Sequence, residues 1–175
     1  VALVVSIDLA NESARKAFAL SSERVSGKAT HQVVAVPGDL DEALYADLRI
    51  NTGMRDAAPV IEGYVRIAKR PARTMQVLGV DPFAEGPFRS YTDQDGGLDL
   101  GIFMGQPNTA ILAAETARDL DIAIGDTLSV LAGGQTAVLT LAGLMQADDD
   151  RSAQAMADLM VVDIATAQDL FRMPG

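Results

Sequence analysis

The sequence has no cysteine and one histidine, His31, and these two shortages exclude more chemistry than any motif in the chain supplies. Without thiols there is no disulfide, zinc ribbon, thiol nucleophile or iron–sulfur ligation, although the compartment stays open. With one imidazole there is no HExxH helix, two-histidine facial site or most transition-metal clusters. No G-x-S-x-G stretch accompanies His31 to suggest a serine–histidine pair. Trp is absent and aromatics make up 5%. Basic charge is also short: 14 Lys and Arg stand against 24 Asp and Glu, a net −10, which argues against nucleic acid as a partner because phosphate neutralisation needs clustered cations. Nucleotide motifs are missing as well. SERVSGKA has Gly27 and Lys28 but neither the earlier glycine nor the following Ser or Thr of a P-loop, and GGLDLG has the wrong spacing for G-x-G-x-x-G.

What is present is an ordinary globular composition, with 49% apolar and 22% charged residues in 175. A chain of this length makes one domain or two small ones and typically buries about 70% of its unfolded surface. The acidic charge is unevenly spread. Residues 93–150 carry one base and ten acids, whereas residues 29–92 carry seven and eight, which suggests a separate unit at 93–150 with its own surface.

The opening VALVVSIDLANESARKAFALSSERVSG reads as a helix, with Glu12 and Lys16 at i,i+4 spacing and Gly27 as its stop. Its five leading apolar residues are too few for a bilayer span by themselves. They read either as the last turns of a membrane helix or as part of an amphipathic helix. THQVVAV (30–36) reads as a strand, and the stretch from Pro37 to Gly53 as a turn, then a helix with an apolar stripe of Leu40, Ala43, Leu44 and Leu48. APVIEGYVRI (58–67) and TMQVLGV (74–80) read as two strands joined by the basic tip AKRPAR, where Pro71 excludes a central strand. The tip collects Arg66, Lys69, Arg70 and Arg73. A solvated hairpin end accounts for these residues, and contact with an acidic partner or with lipid headgroups is the functional alternative.

LGVDPFAEGPF (78–88) places an acid between a strand and two phenylalanines. Asp81 there is expected to accept local backbone hydrogen bonds and start a turn with Pro82, with Phe83 and Phe88 anchoring the exit against the core. An acid-dependent hydrolase using Asp81 and Glu85 is the catalytic alternative, and it requires both carboxylates in one pocket. TDQDGGLDLG lacks the continuation of a calcium loop and reads as a connector. The stretch from Asn108 to Met145 parses as strand, helix, strand, hairpin and strand, with Gly133 and Gly134 in the tight turn. QADDDRSAQ reads as a solvated loop, and DLMVVDI and ATAQDLFRM as a final strand and helix.

In order and spacing, HQVVAV, APVIEGYVRIA, MQVLGVDPF, AILAAETARDLDIAIGDTLSVLAGGQTAVLTLAGLM and LMVVDIATAQDLF resemble the periplasmic domain of MacB/FtsX-like ABC transporter permeases. The resemblance implies an α+β fold. Residues 1–28 would continue a transmembrane helix, residues 29–92 and 147–175 would form a porter-like subdomain of split βαβ units, and residues 93–146 would form an inserted, sabre-like mixed α/β subdomain. It implies a place on the extracytoplasmic face of the bacterial inner membrane, in the periplasm. It also implies no catalysis, cofactor or metal in this segment, and a role in mechanotransmission, relaying ATP-driven motion to export or extraction of hydrophobic or lipid-like substrates. The implied partners are a cytoplasmic ATPase subunit reached through the membrane part, a second permease copy and a periplasmic partner protein. An extracytoplasmic sensor or solute-binding domain is the competing reading of the same pattern.

Overall fold

The computed structural model describes residues 29–35, 38–84, 100–147 and 149–173. The chain divides into two compact units, Val1–Gln32 and Val33–Gly175, and every element below belongs to the second. The expected helix over 1–28 and residues 93–99 of the connector read over 93–101 lie outside the described residues, while Leu100 and Gly101 begin a helix instead. Residues 29–35 form no strand. Their β-branched run meets no pairing partner, and Val33 and Val34 are 62% and 59% exposed, so local strand preference goes unused without a sheet to join.

Helix α1, Glu42–Ile50, starts where the Asp41 carboxylate accepts the Ala43 N–H at 2.8 Å. Glu42 in its first turn and Arg49 in its last both suit the helix dipole. Its apolar stripe does not reach a core, because none of its residues is buried.

Six strands then form a closed barrel in the order β1-β2-β6-β3-β5-β4. They are β1 (Val60–Ile67), β2 (Arg70–Val80), β3 (Thr109–Ala113), β4 (Thr127–Ala132), β5 (Gln135–Met145) and β6 (Leu159–Asp163). The helices between and after them are α2 (Leu100–Gly105), α3 (Ala114–Leu120), α4 (Asp150–Met156) and α5 (Ile164–Phe171). Alternation decides which residues point inward. Val65 and Ile67 of β1, Met75 and Val77 of β2, Leu128 and Val130 of β4, and Met160 and Val162 of β6 all belong to one buried cluster. β3 is buried at every position, as expected of a central strand covered on both faces. Closure is made where Arg66 and Ile67 of β1 meet Leu131 and Val130 of β4.

Two local features depart from the sequence reading. Pro71 lies inside β2 rather than outside it. The β1–β2 register shifts between Arg66 and Ile67, so that Arg66 faces Thr74 while Ile67 faces Arg70. Pro71 therefore sits in a bulge, where its missing N–H costs no ladder bond. The aspartate run begins a helix instead of a loop: Asp149 is the N-cap of α4, accepting the Ser152 N–H at 2.6 Å, and Asp150 lies in its first turn. Carboxylates that repel one another in a loop are stabilised at a helix N-terminus.

The order hairpin, short helix, strand, helix occurs twice: β1–β2, α2, β3, α3 and then β4–β5, α4, β6, α5. The pairings repeat with it. β2 runs parallel to β6 as β5 runs parallel to β3, while β1 meets β4 and β3 meets β6 antiparallel at the junction. Each half thus donates its last strand to the hairpin of the other. The two closing helices carry the same residues at the same places, Thr116-Ala117 with Asp119-Leu120 in α3 and Thr166-Ala167 with Asp169-Leu170 in α5. The strands of the expected insertion, β3, β4 and β5, share their sheet with β1, β2 and β6.

Candidate functional site

The end of β2 and the start of α5 face each other across a groove of about 380 Å³, lined by Asp81, Pro82 and Phe83, by Gly105, Gln106 and Pro107, and by Asp163, Ile164 and Ala165. Parallel pairing of β2 with β6 brings Val80 opposite Asp163, so both exits open on the same side. Asp81 accepts the Phe83 N–H at 3.0 Å through Oδ1, and its carbonyl accepts the Ala84 N–H at 3.0 Å. This is a side-chain-locked turn of the type Asp favours before Pro. Asp163 caps α5, accepting the Thr166 N–H at 2.9 Å and also the Thr166 hydroxyl.

Phe83 does not anchor the exit. It is 82% exposed, because the turn that Asp81 locks directs it away from the barrel, while Ala84 takes the buried position. Phe88 and Glu85 lie outside the described residues. The pair Asp81 and Glu85 is therefore untested; the carboxylates lining the groove are Asp81 and Asp163, and both accept hydrogen bonds from their own turns. Pro82, Phe83, Pro107 and Ile164 give the groove an apolar wall. Among the described residues no group of three His, Asp or Glu side chains is placed to hold a metal ion.

The basic residues of the first hairpin separate into two roles. Arg66, Lys69 and Arg70 are exposed around the turn that joins β1 and β2. Arg73 is instead a cross-link, with its side chain 20% exposed. Its Nε lies 3.4 Å from Asp158 and its Nη1 3.6 Å from Asp119. Its Nη2 donates to the Ala157 carbonyl at 3.0 Å and to the Thr116 hydroxyl at 3.4 Å. One guanidinium thereby ties β2 to α3 and to the start of β6, a geometry that its planar fork of donors favours. Sequence spacing could not separate Arg73 from its neighbours, since its partners lie 43 and 84 residues away.

The loop peptides that enter β6 and β3 are held alike. The Thr116 hydroxyl donates to the Ala157 carbonyl at 2.5 Å, and the Thr166 hydroxyl accepts the Asn108 N–H at 3.1 Å. Fifty positions apart, the same peptide is gripped once at its carbonyl and once at its N–H. Both threonines are buried, so each hydroxyl needs such a partner. These two were not singled out in the sequence, where only the shared Thr-Ala and Asp-Leu spacing of the two helices hints at them.

No protein-family model matches the chain. An uncharacterised ABC transporter permease protein of Mycobacterium tuberculosis is 42% identical to it over 175 residues, covering 99% of this chain. The chain spans 20% of that relative's length. The extracellular domain of the noncanonic ABC-type transporter YknZ from Gram-positive bacteria is 17% identical, covering 76% of this chain and 67% of that one with a TM-score of 0.49. Among the described residues no helix is long and apolar enough to cross a membrane. Along nearly its whole length, the chain is a homologue of one segment of an ABC transporter permease.

Proposed function

We propose that this chain is the extracytoplasmic domain of an ABC transporter permease and that it takes part in export or extraction of hydrophobic or lipid-like substrates by relaying ATP-driven motion. The observation that carries this reading is the 42% identity to a permease over 99% of the chain. Partners follow from it: an ATPase subunit engaged through the membrane part, and a second permease copy and a periplasmic partner protein at the outer face. A non-enzymatic role is part of this reading. Residues 29–92 with 147–175 would be the porter-like part and residues 93–146 the sabre-like insertion. Pairing of β3 with β6 and of β4 with β1 supports a form of this division in which both parts move as one body.

The chain has no cysteine, so topology is testable with single introduced thiols. In the full permease, with any cysteine elsewhere replaced, Thr136→Cys is expected to react with a membrane-impermeant maleimide added to whole cells or spheroplasts. Reaction only after the inner membrane is broken would overturn the extracytoplasmic placement.

A further inference from the structure

We infer that the turn between β1 and β2 is a docking point for an anionic lipid surface, an inference that rests on the membrane-protein reading above. Arg66, Lys69 and Arg70 are exposed within five residues of a chain whose net charge is −10. None of the three side chains has an ion pair or hydrogen bond among the described residues. Arg73, Arg49 and Arg118 are each engaged, and the exposed Arg55 and Arg172 stand singly rather than in a cluster. Three exposed cations clustered on one turn of an acidic protein, with no partner among the described residues, point to a partner from outside.

The shape of the surface indicates which partner. The cations stand on a convex turn, Ala68 and Lys69, pinned to β4 by the Ala68 N–H donating to the Ser129 carbonyl at 2.9 Å. The bulge at Pro71 fixes the strand that leaves it. A turn that carries three cations within five residues presents them together to a plane of anionic headgroups. The surroundings also fit a lipid surface. Arg66 lies opposite Leu131 of β4, and from Thr127 to Ala147 the sequence contains no charged residue, so the nearest carboxylate on the outward face of β1 is Glu62, four positions up the strand from the turn. Tyr64, two positions before Arg66 on the same outward face, is exposed, and it is an aromatic of the kind that settles at membrane interfaces. The acidic charge elsewhere is repelled by the same surface, so attraction at the tip also orients the barrel.

The test is flotation of the 175-residue chain with vesicles of phosphatidylcholine, with or without phosphatidylglycerol. Association is expected only with phosphatidylglycerol and is expected to fade as salt rises. Each cation contributes roughly fivefold in partition, so Arg66→Gln, Lys69→Gln and Arg70→Gln together should lower it by on the order of a hundredfold. Arg55→Gln, Arg118→Gln and Arg172→Gln together remove the same charge elsewhere and should lower it far less. Equal losses in the two triple variants, or no dependence on phosphatidylglycerol, would overturn the inference. Association with soluble polyglutamate but not with vesicles would overturn it in favour of an acidic protein partner. None of these outcomes bears on thiol topology, so failure here and failure of the permease reading are separable.

Discussion

The two halves of the barrel share one pattern of strand pairing but close it with different chemistry. In the first, α3 is held by a cation: Arg73 reaches Asp119, Asp158 and the Ala157 carbonyl, with Thr116 on the same carbonyl. In the second, α5 is held by an anion: Asp163 caps the helix and grips Thr166, which in turn accepts the Asn108 N–H. Register makes the correspondence concrete. The Gln76 N–H donates to the Asp158 carbonyl at 2.7 Å as the Thr140 N–H donates to the Asn108 carbonyl at 2.8 Å, so Arg73, three before Gln76, corresponds to Ala137, three before Thr140. The second half has no side chain there long enough to make the clamp, and its threonine turns to the peptide N–H instead. The backbone pattern is therefore the constant, and side chains satisfy it by whichever charge is at hand.

Close packing of α5 is the difference that should be hardest to disturb. A Cβ on Gly79 would lie 2.2 Å from that of Ala167, and one on Gly63 would lie 2.3 Å from the tip of the Phe171 ring. Gly79→Ala should cost about 2–3 kcal/mol by overpacking against a group that cannot swing away. Gly63→Ala should cost less, because a ring end can move. Urea titration of both variants ranks them, and equal losses would show that α5 does not rest on β2 as described.

Arg73→Met comes next. Removing charge-assisted bonds but keeping the stem should cost roughly 1.5 kcal/mol, well below the loss expected of a fully buried ion because Asp119 and Asp158 are largely exposed. A denaturation midpoint equal to that of the unaltered chain would remove the cationic clamp from the account. Thr166→Val should cost about 1 kcal/mol by leaving the Asn108 N–H without its acceptor. Thr116→Val should cost less, since Arg73 still holds the Ala157 carbonyl. Combining Thr116→Val with Arg73→Met should then exceed the sum of the two single losses.

The smallest effect is a gain. Asp121 and Arg172 end the two closing helices in left-handed conformation, with φ of 54° and 55°. Glycine at either position should stabilise by about 0.5–1 kcal/mol, because it adopts that conformation without Cβ strain. Thermal melts of Asp121→Gly and Arg172→Gly should shift upward by similar amounts if the two helix ends are equivalent.

Much of the barrel was legible because its strands are short, alternating and punctuated. β4 and β5 could be read from the hairpin glycines, both of which have positive φ, and β6 and α5 from the change of pattern between DLMVVDI and ATAQDLFRM. The failures have a common cause. The run at 30–36 has strand composition but no partner, Phe83 has core composition but a turn that faces outward, and Pro71 looks like a strand breaker until a bulge accommodates it. Each was decided by a neighbour distant in sequence. The duplicated plan was hidden for the same reason: a handful of shared positions in α3 and α5 carries little weight until the pairings repeat too. In the groove, Asp81 was legible as a turn residue, but its meeting with Asp163 depends on β2 running parallel to β6.

The proposal that the porter-like and sabre-like parts form one body is tested most directly by a spin-label distance across them in the full permease. With Thr74→Cys on β2 and Thr136→Cys on β5 as the only thiols, the distance distribution should be the same in the nucleotide-free and ATP-bound transporter. A distribution that shifts with nucleotide would contradict the account, since it would mean that the halves slide on one another rather than move together.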